Sequence, residues 1–509
     1  MTPKHRGRTL GYKLLCMIAV PTTYLLLVNA LATFRPNHAS TATNPAFTNT
    51  RLRKLLQLTS QTAAVEPGIE EPINCTPPAI KEFPSDGFTR EHRQSGFIVI
   101  HFVIAIYMFL LLAVVCDDFF VPSLKKICEK INITEDVAGA TIMAAASSSP
   151  ELFINIVGTF VTEGDLGVGT IVGSAVFNIL AVPACCGVFA NQVLNLKKWP
   201  VSRDTIAYAI TVLLLILTLR DGRIEWYEGL ILVSAYVLYI IVMCYDKAIH
   251  KFCRRLSNRR NQYKNLSEKS PLISTDSIKG TEIHLLESSE EDETLEIVNM
   301  TNWPNSVCEK LWWILTWPIN FVLLITIPDC RRNSLKSWYP VTFFMCIIWI
   351  ASTSYIVGWV ITVIGDTFRI PDSIMGLTFL AAGMSVPEAV SSVIVANQGH
   401  GAMGISNSIG SNVFDVLLCL GLPWFLKAAF FPTVAGNHYV TINSQGLVYS
   451  AISLFSTLTV LYLSLLFAKF KLTRNVGIAC LIMYIIFLVF ASILELNLFF
   501  VVNLPICIE

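Results

Sequence analysis

Two glutamates of this chain, Glu151 and Glu388, each follow a proline inside strongly apolar sequence. A carboxylate in a membrane-like interior costs several kcal/mol and is kept only with a partner or a cation. The proline removes one helical hydrogen bond and frees a backbone carbonyl, and the hydroxyls of Ser148 and Ser385 stand three residues before the acids. Carboxylate, hydroxyl and carbonyl oxygens are the ligands of hard cations such as Na⁺, K⁺ and Ca²⁺. Neither motif contains His or Cys, which argues against zinc or copper.

The two glutamates belong to two copies of one sequence motif. Gly139–Glu151 aligns with Gly376–Glu388, and subtracting 139 from 376 gives a register shift of 237. The same shift places Gly173–Asn178 (GSAVFN) on Gly410–Asp415 (GSNVFD). Because chance does not keep one register across two separate blocks, the sequence predicts an internal duplication.

The second block of each copy adds further candidate ligands. Its glycine allows helices to approach closely, and hydroxyls follow at Ser174 and Ser411. The last position of the block holds an amide in the first copy, Asn178, and a carboxylate in the second, Asp415. With the two glutamates, the predicted site has three candidate negative charges, which one Ca²⁺ and one K⁺ would neutralise.

The composition of the chain is that of a membrane protein. Of its 509 residues, 53% are hydrophobic and only 14% are charged, against roughly 25% charged in an average soluble domain. The net charge of +1 does not suggest nucleic-acid binding. Many apolar runs approach the ~20 residues that a helix needs to cross a bilayer. They lie near 97–119, 137–162, 166–190, 204–220, 226–246, 341–364, 374–397, 402–426, 446–469 and 476–502. The sequence therefore predicts an all-α polytopic protein in a lipid bilayer, with two sets of five transmembrane helices.

Basic residues predict the orientation of these spans. They follow the first, third, fifth and ninth runs, whereas the alternate loops contain few; the basic groups are Lys125, Lys126 and Lys130, then Lys197, Lys198 and Arg203, then Lys247 to Arg260, then Lys469, Lys471 and Arg474. Since basic loops stay cytoplasmic, the mature N-terminus is expected outside. An odd number of spans in each half gives the halves opposite orientation, so the duplication predicts an inverted repeat.

The apolar runs divide the chain into five segments. Residues 1–40 have a basic start, an apolar centre and a tail of small residues, as in a signal peptide or a signal anchor. Residues 41–96 are rich in Thr, Asn and Pro, which predicts a disordered extracellular or lumenal segment. The first membrane half, 97–246, and the second, 341–509, flank a cytoplasmic linker at 247–340.

Smaller features refine this organisation. Asn74-Cys75-Thr76 is a glycosylation sequon if its segment reaches the lumen. Most of the 14 cysteines lie in apolar segments as packing residues, while Cys75 and Cys507 fall on segments predicted outside and are a hypothetical disulfide pair. A helix over Trp312–Pro328 is expected to lie in the membrane interface, because crossing there would reverse the second half.

The four motif blocks resemble the two α-repeats of the potassium-dependent sodium/calcium exchangers, in the cation/calcium exchanger superfamily. The resemblance extends to Cys116–Leu124 and to Gly421–Trp424. It fades in residues 41–96 and in the linker. It implies that the two glutamates are shared by Ca²⁺ and Na⁺ and that Asp415 determines K⁺ dependence. It also implies further ligands from side chains of Ser148, Ser385, Ser174, Ser411 and Asn178 and from the carbonyls of Ala144 and Ala381.

The chain departs from the family pattern at five positions. Ala146 stands where the family has Gly, Ser149 where it has Ala, Met384 where it has Thr and Glu388 where it has Asp. Asn155 occupies a position that is usually small and hydroxylated. These departures bear on ion affinity and selectivity more than on the basic activity.

The predicted activity is secondary antiport, Na⁺ against Ca²⁺ together with K⁺, by alternating access. The ions are the transported substrates; no cofactor and no enzymatic activity are expected, and no phosphate-binding loop suggests ATP use. A calcium/proton exchanger, a potassium-independent exchanger and a transport-inactive regulatory relative stay open as alternatives, the last because of Met384. An intramembrane protease is disfavoured because both acids are glutamates after proline.

The plasma membrane is the expected location, with secretory or pigment organelles as the alternative, and a homodimer stays open.

Overall fold

A computed structural model describes most of both membrane halves. The described residues are 79–131, 144–162, 165–189, 193–196, 198–245, 307–397, 401–432, 438–442 and 444–497. The expected leader at 1–40, the sequon at Asn74, the Cys75–Cys507 pair and the linker up to residue 306 lie outside them.

The described part of the first half is almost entirely helical. A helical turn Arg90–His92 and a π-helical turn Arg93–Phe97 lead into α1 (Ile98–Val114), which continues through a π-helical segment Val115–Phe120 into α2 (Val121–Ile131). The next elements are α3 (Ala144–Ser147), α4 (Ser149–Phe160), α5 (Leu166–Val176), a π-helical segment Phe177–Ala181 and α6 (Val182–Phe189). The half ends with β1 (Leu194–Asn195), α7 (Lys198–Leu219), β2 (Arg223–Glu225) and α8 (Trp226–Cys244).

The second half follows the same order after one additional helix. That helix, α9 (Val307–Thr326), precedes a 3₁₀ turn Asn333–Trp338 and α10 (Tyr339–Phe368). Next come α11 (Asp372–Met375), a π-helical segment Gly376–Leu380, α12 (Ala381–Val395), α13 (Gly401–Phe414), a π-helical segment Asp415–Leu420 and α14 (Gly421–Phe430). The half ends with β3 (Tyr439–Thr441), α15 (Gly446–Phe467), β4 (Lys471–Leu472) and α16 (Arg474–Glu495).

Nine helical stretches of the described part are long and apolar enough to cross a membrane. They are Arg90–Cys128, Leu166–Phe189, Lys198–Leu219, Trp226–Cys244, Tyr339–Phe368, Asp372–Ile394, Ser408–Phe430, Gly446–Phe467 and Arg474–Glu495. The prediction of an all-α polytopic membrane protein is confirmed. Of the remaining predicted span, 137–162, the described part is α3 and α4, and its start lies outside the described residues.

The helices that carry the motifs lie at the centre of the molecule. In the most apolar part of Leu166–Phe189, 89% of the residues are buried, against 17% in Trp226–Cys244. The outer helices expose large apolar side chains such as Ile206, Ile210 and Leu238. A lipid environment accounts for that pattern, because it leaves apolar outward faces without penalty.

Glycines let two helix pairs cross at backbone contact. On α6 and α16, a Cβ built on Gly187 would lie 2.9 Å from Cα of Gly477. On α8 and α14, a Cβ built on Gly229 would lie 2.8 Å from the backbone nitrogen of Phe425. Larger residues cannot occupy these crossings without moving the helices apart.

Two short antiparallel ribbons join the halves. β1 pairs with β4, with Leu194 opposite Leu472, and β2 pairs with β3, with Ile224 opposite Val440. Each ribbon therefore links a loop of the first half to a loop of the second.

Residues 79–96, which the sequence analysis included in a disordered segment, are packed against α10. The ring of Phe83 lies 5.5 Å from that of Tyr355, and Trp359 donates from Nε1 to the Pro84 carbonyl at 2.9 Å. The buried Arg93 donates from Nη2 to Asp366 at 3.1 Å. A few aromatic and ionic contacts with distant residues order this part of the segment, and composition does not register such contacts.

The helix α9 covers the region where an interfacial helix is expected. Its large side chains Leu311 and Ile325 are exposed, while Ile319 and Leu323 are buried. At its end Trp349 of α10 donates to the Thr326 hydroxyl at 3.0 Å. The helix therefore packs along one narrow stripe and leaves most of its apolar surface outward.

Candidate cation site

The first motif contains a helix break. α3 ends at Ser147, α4 begins at Ser149, and Ser148 between them has a φ of −95° and a ψ of 9°. Pro150 has no N–H to donate to the Ala146 carbonyl four residues earlier; instead the Ser149 hydroxyl donates to that carbonyl at 2.9 Å. Ser149, one of the departures from the family pattern, thus supplies the donor that the Ala146 carbonyl lacks because of the proline.

The second motif is built differently although its sequence is related. α12 runs without a break through Pro387, and the π-helical segment Gly376–Leu380 precedes it. Two further π-helical segments contain the last positions of the second blocks, Asn178 and Asp415. π-Helical turns are rare and occur frequently at functional sites, because they widen the helix and leave backbone groups available.

The three predicted acids come together between the halves. Asp415 is 1% exposed and Glu151 is 2% exposed, whereas Glu388 is partly exposed. The charges of all three carboxylates act on one another. Ionised groups this close and this buried repel one another strongly unless cations or protons lie among them.

Buried oxygen atoms without a hydrogen-bond partner mark the same region. Those within the motifs are Ser148 Oγ, Glu151 Oε2, Asn178 Oδ1, Ser385 Oγ and Glu388 Oε2. All five belong to residues that the sequence predicted as ligands, and they come from both copies of the motif. Buried polar atoms are normally hydrogen-bonded, so a cluster of unpartnered oxygens suits a site that binds a cation.

An amide network joins the second blocks of the two copies. Asn178 donates from Nδ2 to Asn412 Oδ1 at 3.1 Å, and Asn412 donates to the Ala175 carbonyl at 3.3 Å. The Ser408 hydroxyl donates to the Asn178 carbonyl at 3.1 Å. Asn178 also lies within hydrogen-bonding reach of Glu388, so the network connects directly to one of the acids.

The two predicted serines of the second blocks make equivalent bonds. Ser174 donates to the Ile171 carbonyl at 3.1 Å, and Ser411 donates to the Ser408 carbonyl at 3.0 Å. Both are fully buried, one helical turn before Asn178 and Asp415. Each hydroxyl uses its proton within its own helix, which leaves its oxygen lone pairs available to a cation.

The two predicted backbone ligands lie near the irregular parts of the motif helices. Ala144 is in α3, before the break at Ser148, and Ala381 directly follows the π-helical segment Gly376–Leu380. Gly173 packs against Leu377 and Ala381 so closely that a Cβ there would overlap the Leu377 carbonyl oxygen. Among the described residues, no three His, Cys, Asp or Glu side chains have the spacing of a metal centre.

The structure adds neighbours that the sequence analysis did not select. Cys419 Sγ lies 3.9 Å from Asp415 Oδ1 and 3.7 Å from the Ser148 carbonyl oxygen. Asp117 is exposed on the π-helical segment of the first span, yet its charge acts on Glu388. An Asp pair inside an apolar run is itself a signal for function, whereas nothing in the sequence distinguishes Cys419 from a packing cysteine.

Fold and site together define a class: a polytopic α-helical membrane protein with a buried, all-oxygen cluster suited to hard cations. The family model described as Sodium/calcium exchanger protein matches residues 101–245 and 338–493. Human sodium/potassium/calcium exchanger 3 is 37% identical, over 89% of this chain and 90% of its own length. Human sodium/potassium/calcium exchanger 5 is 40% identical, over 79% of this chain and 85% of its own length.

The chain therefore belongs to the sodium/calcium exchanger protein family, and its resemblance to the potassium-dependent exchangers is confirmed. A solved structure of the sodium-calcium exchanger NCX_Mj is similar at 18% identity and a TM-score of 0.42, covering 76% of this chain and 98% of that one. The family assignment depends on the sequence relatives and the family model.

Proposed function

We propose that this protein is an antiporter that exchanges Na⁺ for Ca²⁺ together with K⁺. The observation that carries the proposal is the set of five unpartnered buried oxygens contributed by both motif copies. Oxygen ligands suit all three ions, and the names of the relatives contain the same three ions. The ions are substrates in this proposal.

Coupling follows from the sharing of ligands. Na⁺ on one side of the cycle and Ca²⁺ with K⁺ on the other would occupy overlapping oxygens around Glu151 and Glu388, so they exclude each other. An empty site would leave buried carboxylates uncompensated, which is costly inside a membrane. The protein would therefore change conformation mainly when loaded, and one ion gradient would drive the other flux without ATP.

We assign K⁺ dependence to Asp415. At the equivalent position of the first copy, Asn178 uses its amide to bond Asn412. Asp415 cannot donate in that way when ionised and adds a charge that acts on both glutamates. A third carboxylate accommodates one positive charge more than the two glutamates alone.

We also propose ten spans in two inverted halves. β1 and β3 both follow the third span of their half, and β2 and β4 both follow the fourth. Yet β1 pairs with β4 and β2 pairs with β3. Successive spans alternate in direction, so the loops after the third and the fourth span of one half lie on opposite sides of the membrane. Paired strands lie on the same side. The loops that follow the third spans of the two halves would therefore lie on opposite sides, as in an inverted repeat. The matching crossings of α6 with α16 and of α14 with α8 support the same symmetry.

The remaining parts of the topology are proposals of the same kind. For α9 we propose a helix lying in the membrane interface, because a crossing there would reverse the second half, with the linker cytoplasmic. A leader at 1–40, glycosylation at Asn74 and residence in the plasma membrane are consistent with an outside N-terminus. A homodimer stays a hypothesis.

The function is tested by Ca²⁺ uptake into Na⁺-loaded cells that express the chain, with and without external K⁺. Uptake that requires both the Na⁺ load and external K⁺ is expected. Uptake driven by a proton gradient without Na⁺ would instead favour a calcium/proton exchanger. No uptake, with the protein present at the cell surface, would favour a transport-inactive relative.

A further inference from the structure

Two buried polar side chains outside the proposed ligand set join the Glu151 helix to the Asp415 helix. Asn155 of α4 donates from Nδ2 to the Cys419 carbonyl at 2.6 Å. Lys427 of α14 donates from Nζ to the Thr159 carbonyl at 2.7 Å. Asn155 is 1% exposed and Lys427 is 6% exposed. Together these two bonds form what we call the clasp.

The first bond has a local cause. In a continuous helix the Cys419 carbonyl would accept from the N–H of residue 423, but that residue is Pro423 and has no N–H. Asn155 supplies the missing donor from the neighbouring helix. Asn155 stands one turn after Glu151, and Cys419 stands one turn after Asp415. The bond therefore sets the distance between the two segments that contain these acids.

The second bond ends α4. The last carbonyls of a helix have no partner within it, and a lysine there is favoured both as a donor and by the helix dipole. The Lys427 ammonium also lies 5.9 Å from the centre of the Phe160 ring. A buried ammonium is costly, and both of these contacts are lost when α4 and α14 separate.

The other motif copy lacks the residues for such a clasp. Subtracting or adding the shift of 237 places Ser392 at the position of Asn155 and Ala190 at the position of Lys427. An alanine side chain has no donor, and a serine hydroxyl is shorter than the asparagine amide. The clasp is therefore one-sided. It lies toward the β2–β3 ribbon, because His438, next to β3, bonds the carbonyl of Ala428 at 3.0 Å.

Exposure of the acids agrees with a closure on that side. Glu151 and Asp415, next to the clasp, are almost fully buried, while Glu388 is partly exposed and feels the charge of the exposed Asp117. We propose that Asn155 and Lys427 are positioning residues that hold the site closed toward the β2–β3 side. Both bonds must break before ions can enter or leave there. This inference deepens the proposed antiport, on which its role in transport rests.

The native Cys419 is a built-in reporter, because its carbonyl belongs to the clasp, its thiol lies near Asp415 and it is fully buried. Full-length protein in detergent is treated with N-ethylmaleimide, and mass spectrometry follows modification of Cys419 and of Cys480, which is also buried. Lys427→Met should raise the Cys419 rate roughly tenfold or more, because a charged hydrogen bond present only in the closed state is lost. The Cys480 rate should not change.

Two further variants sharpen the test. Asn155→Ser should act in the same direction, and Lys427→Arg, which keeps a charged donor, should stay close to the unmodified protein. Lys471→Met is the matched control, since it removes an exposed lysine on the β1–β4 side. Unchanged Cys419 labelling in both Lys427→Met and Asn155→Ser, or equal acceleration of Cys419 and Cys480, would overturn the proposal. Because labelling needs no transport, failed uptake by the unmodified chain would refute only the antiport.

Discussion

The side-chain amide of Asn178 donates to Oδ1 of Asn412 over 3.1 Å, and this bond joins the two copies of one motif. The residues are 234 positions apart in the chain. Asn412 continues to the Ala175 carbonyl, and Asn178 lies within reach of Glu388. The bond therefore places the amide of one copy beside an acid of the other, and four consequences of the site can be measured.

Replacing Glu151 by glutamine should abolish Na⁺-dependent Ca²⁺ uptake. The amide keeps the shape of the side chain but removes a buried charge that would bind cations, at a cost on the order of 3–5 kcal/mol, which is more than a hundredfold in ion affinity. Uptake by cells with matched surface expression is the measurement. Glu82→Gln, at an exposed position, is the control, and near-normal uptake by Glu151→Gln would refute the site.

Replacing Asp415 by asparagine should leave uptake that no longer depends on external K⁺. The substitution makes this position match Asn178 and removes one of the three charges, so the site needs one positive charge fewer. Uptake rates with and without K⁺ should become equal. Asp221→Asn makes the same change at an exposed turn and should keep the K⁺ requirement; an unaltered K⁺ requirement in Asp415→Asn would contradict the assignment.

Replacing Asn412 by alanine should destabilise the protein. It removes one hydrogen-bond partner from the buried Asn178 amide and one from the Ala175 carbonyl, at roughly 1–3 kcal/mol. The melting temperature of the purified protein should fall. Asn320→Ala is the matched control, because the Asn320 side-chain oxygen has no hydrogen-bond partner to lose; equal melting temperatures for the two variants would show that the network adds little.

Equivalent glycines of the two copies should respond differently to alanine. A Cβ on Gly173 would overlap the Leu377 carbonyl, whereas a Cβ on Gly410 would meet only the Tyr239 hydroxyl at 3.8 Å, an ordinary contact. Gly173→Ala should therefore cost ~1–3 kcal/mol or more through overpacking, and Gly410→Ala should be tolerated. Melting temperature and surface expression distinguish the pair, and similar losses in both would mean that the repeats pack more symmetrically than described.

The packing of Gly410 also shows how far sequence reasoning reached. The motif predicted that both second-block glycines allow close helix approach, yet among them only Gly173 needs to be glycine for space. Similarly, both first blocks contain proline before glutamate, but the helix is broken at Ser148 in one copy and continuous through Pro387 in the other. The two copies pack against different neighbouring residues, so the same residue types do not guarantee the same backbone conformation.

The sequence by itself determined the membrane class, the duplication and the candidate ligands, because these depend on local composition and on a repeated register. Tertiary structure decided which oxygens stay unpartnered, that Asn412 bonds Asn178, and that Asn155 and Lys427 bond the carbonyls of Cys419 and Thr159. Each of those bonds joins residues more than 230 positions apart. Such partners are chosen by the way the halves cross and by which carbonyls the prolines and helix ends leave free, and only the folded chain brings donor and acceptor together.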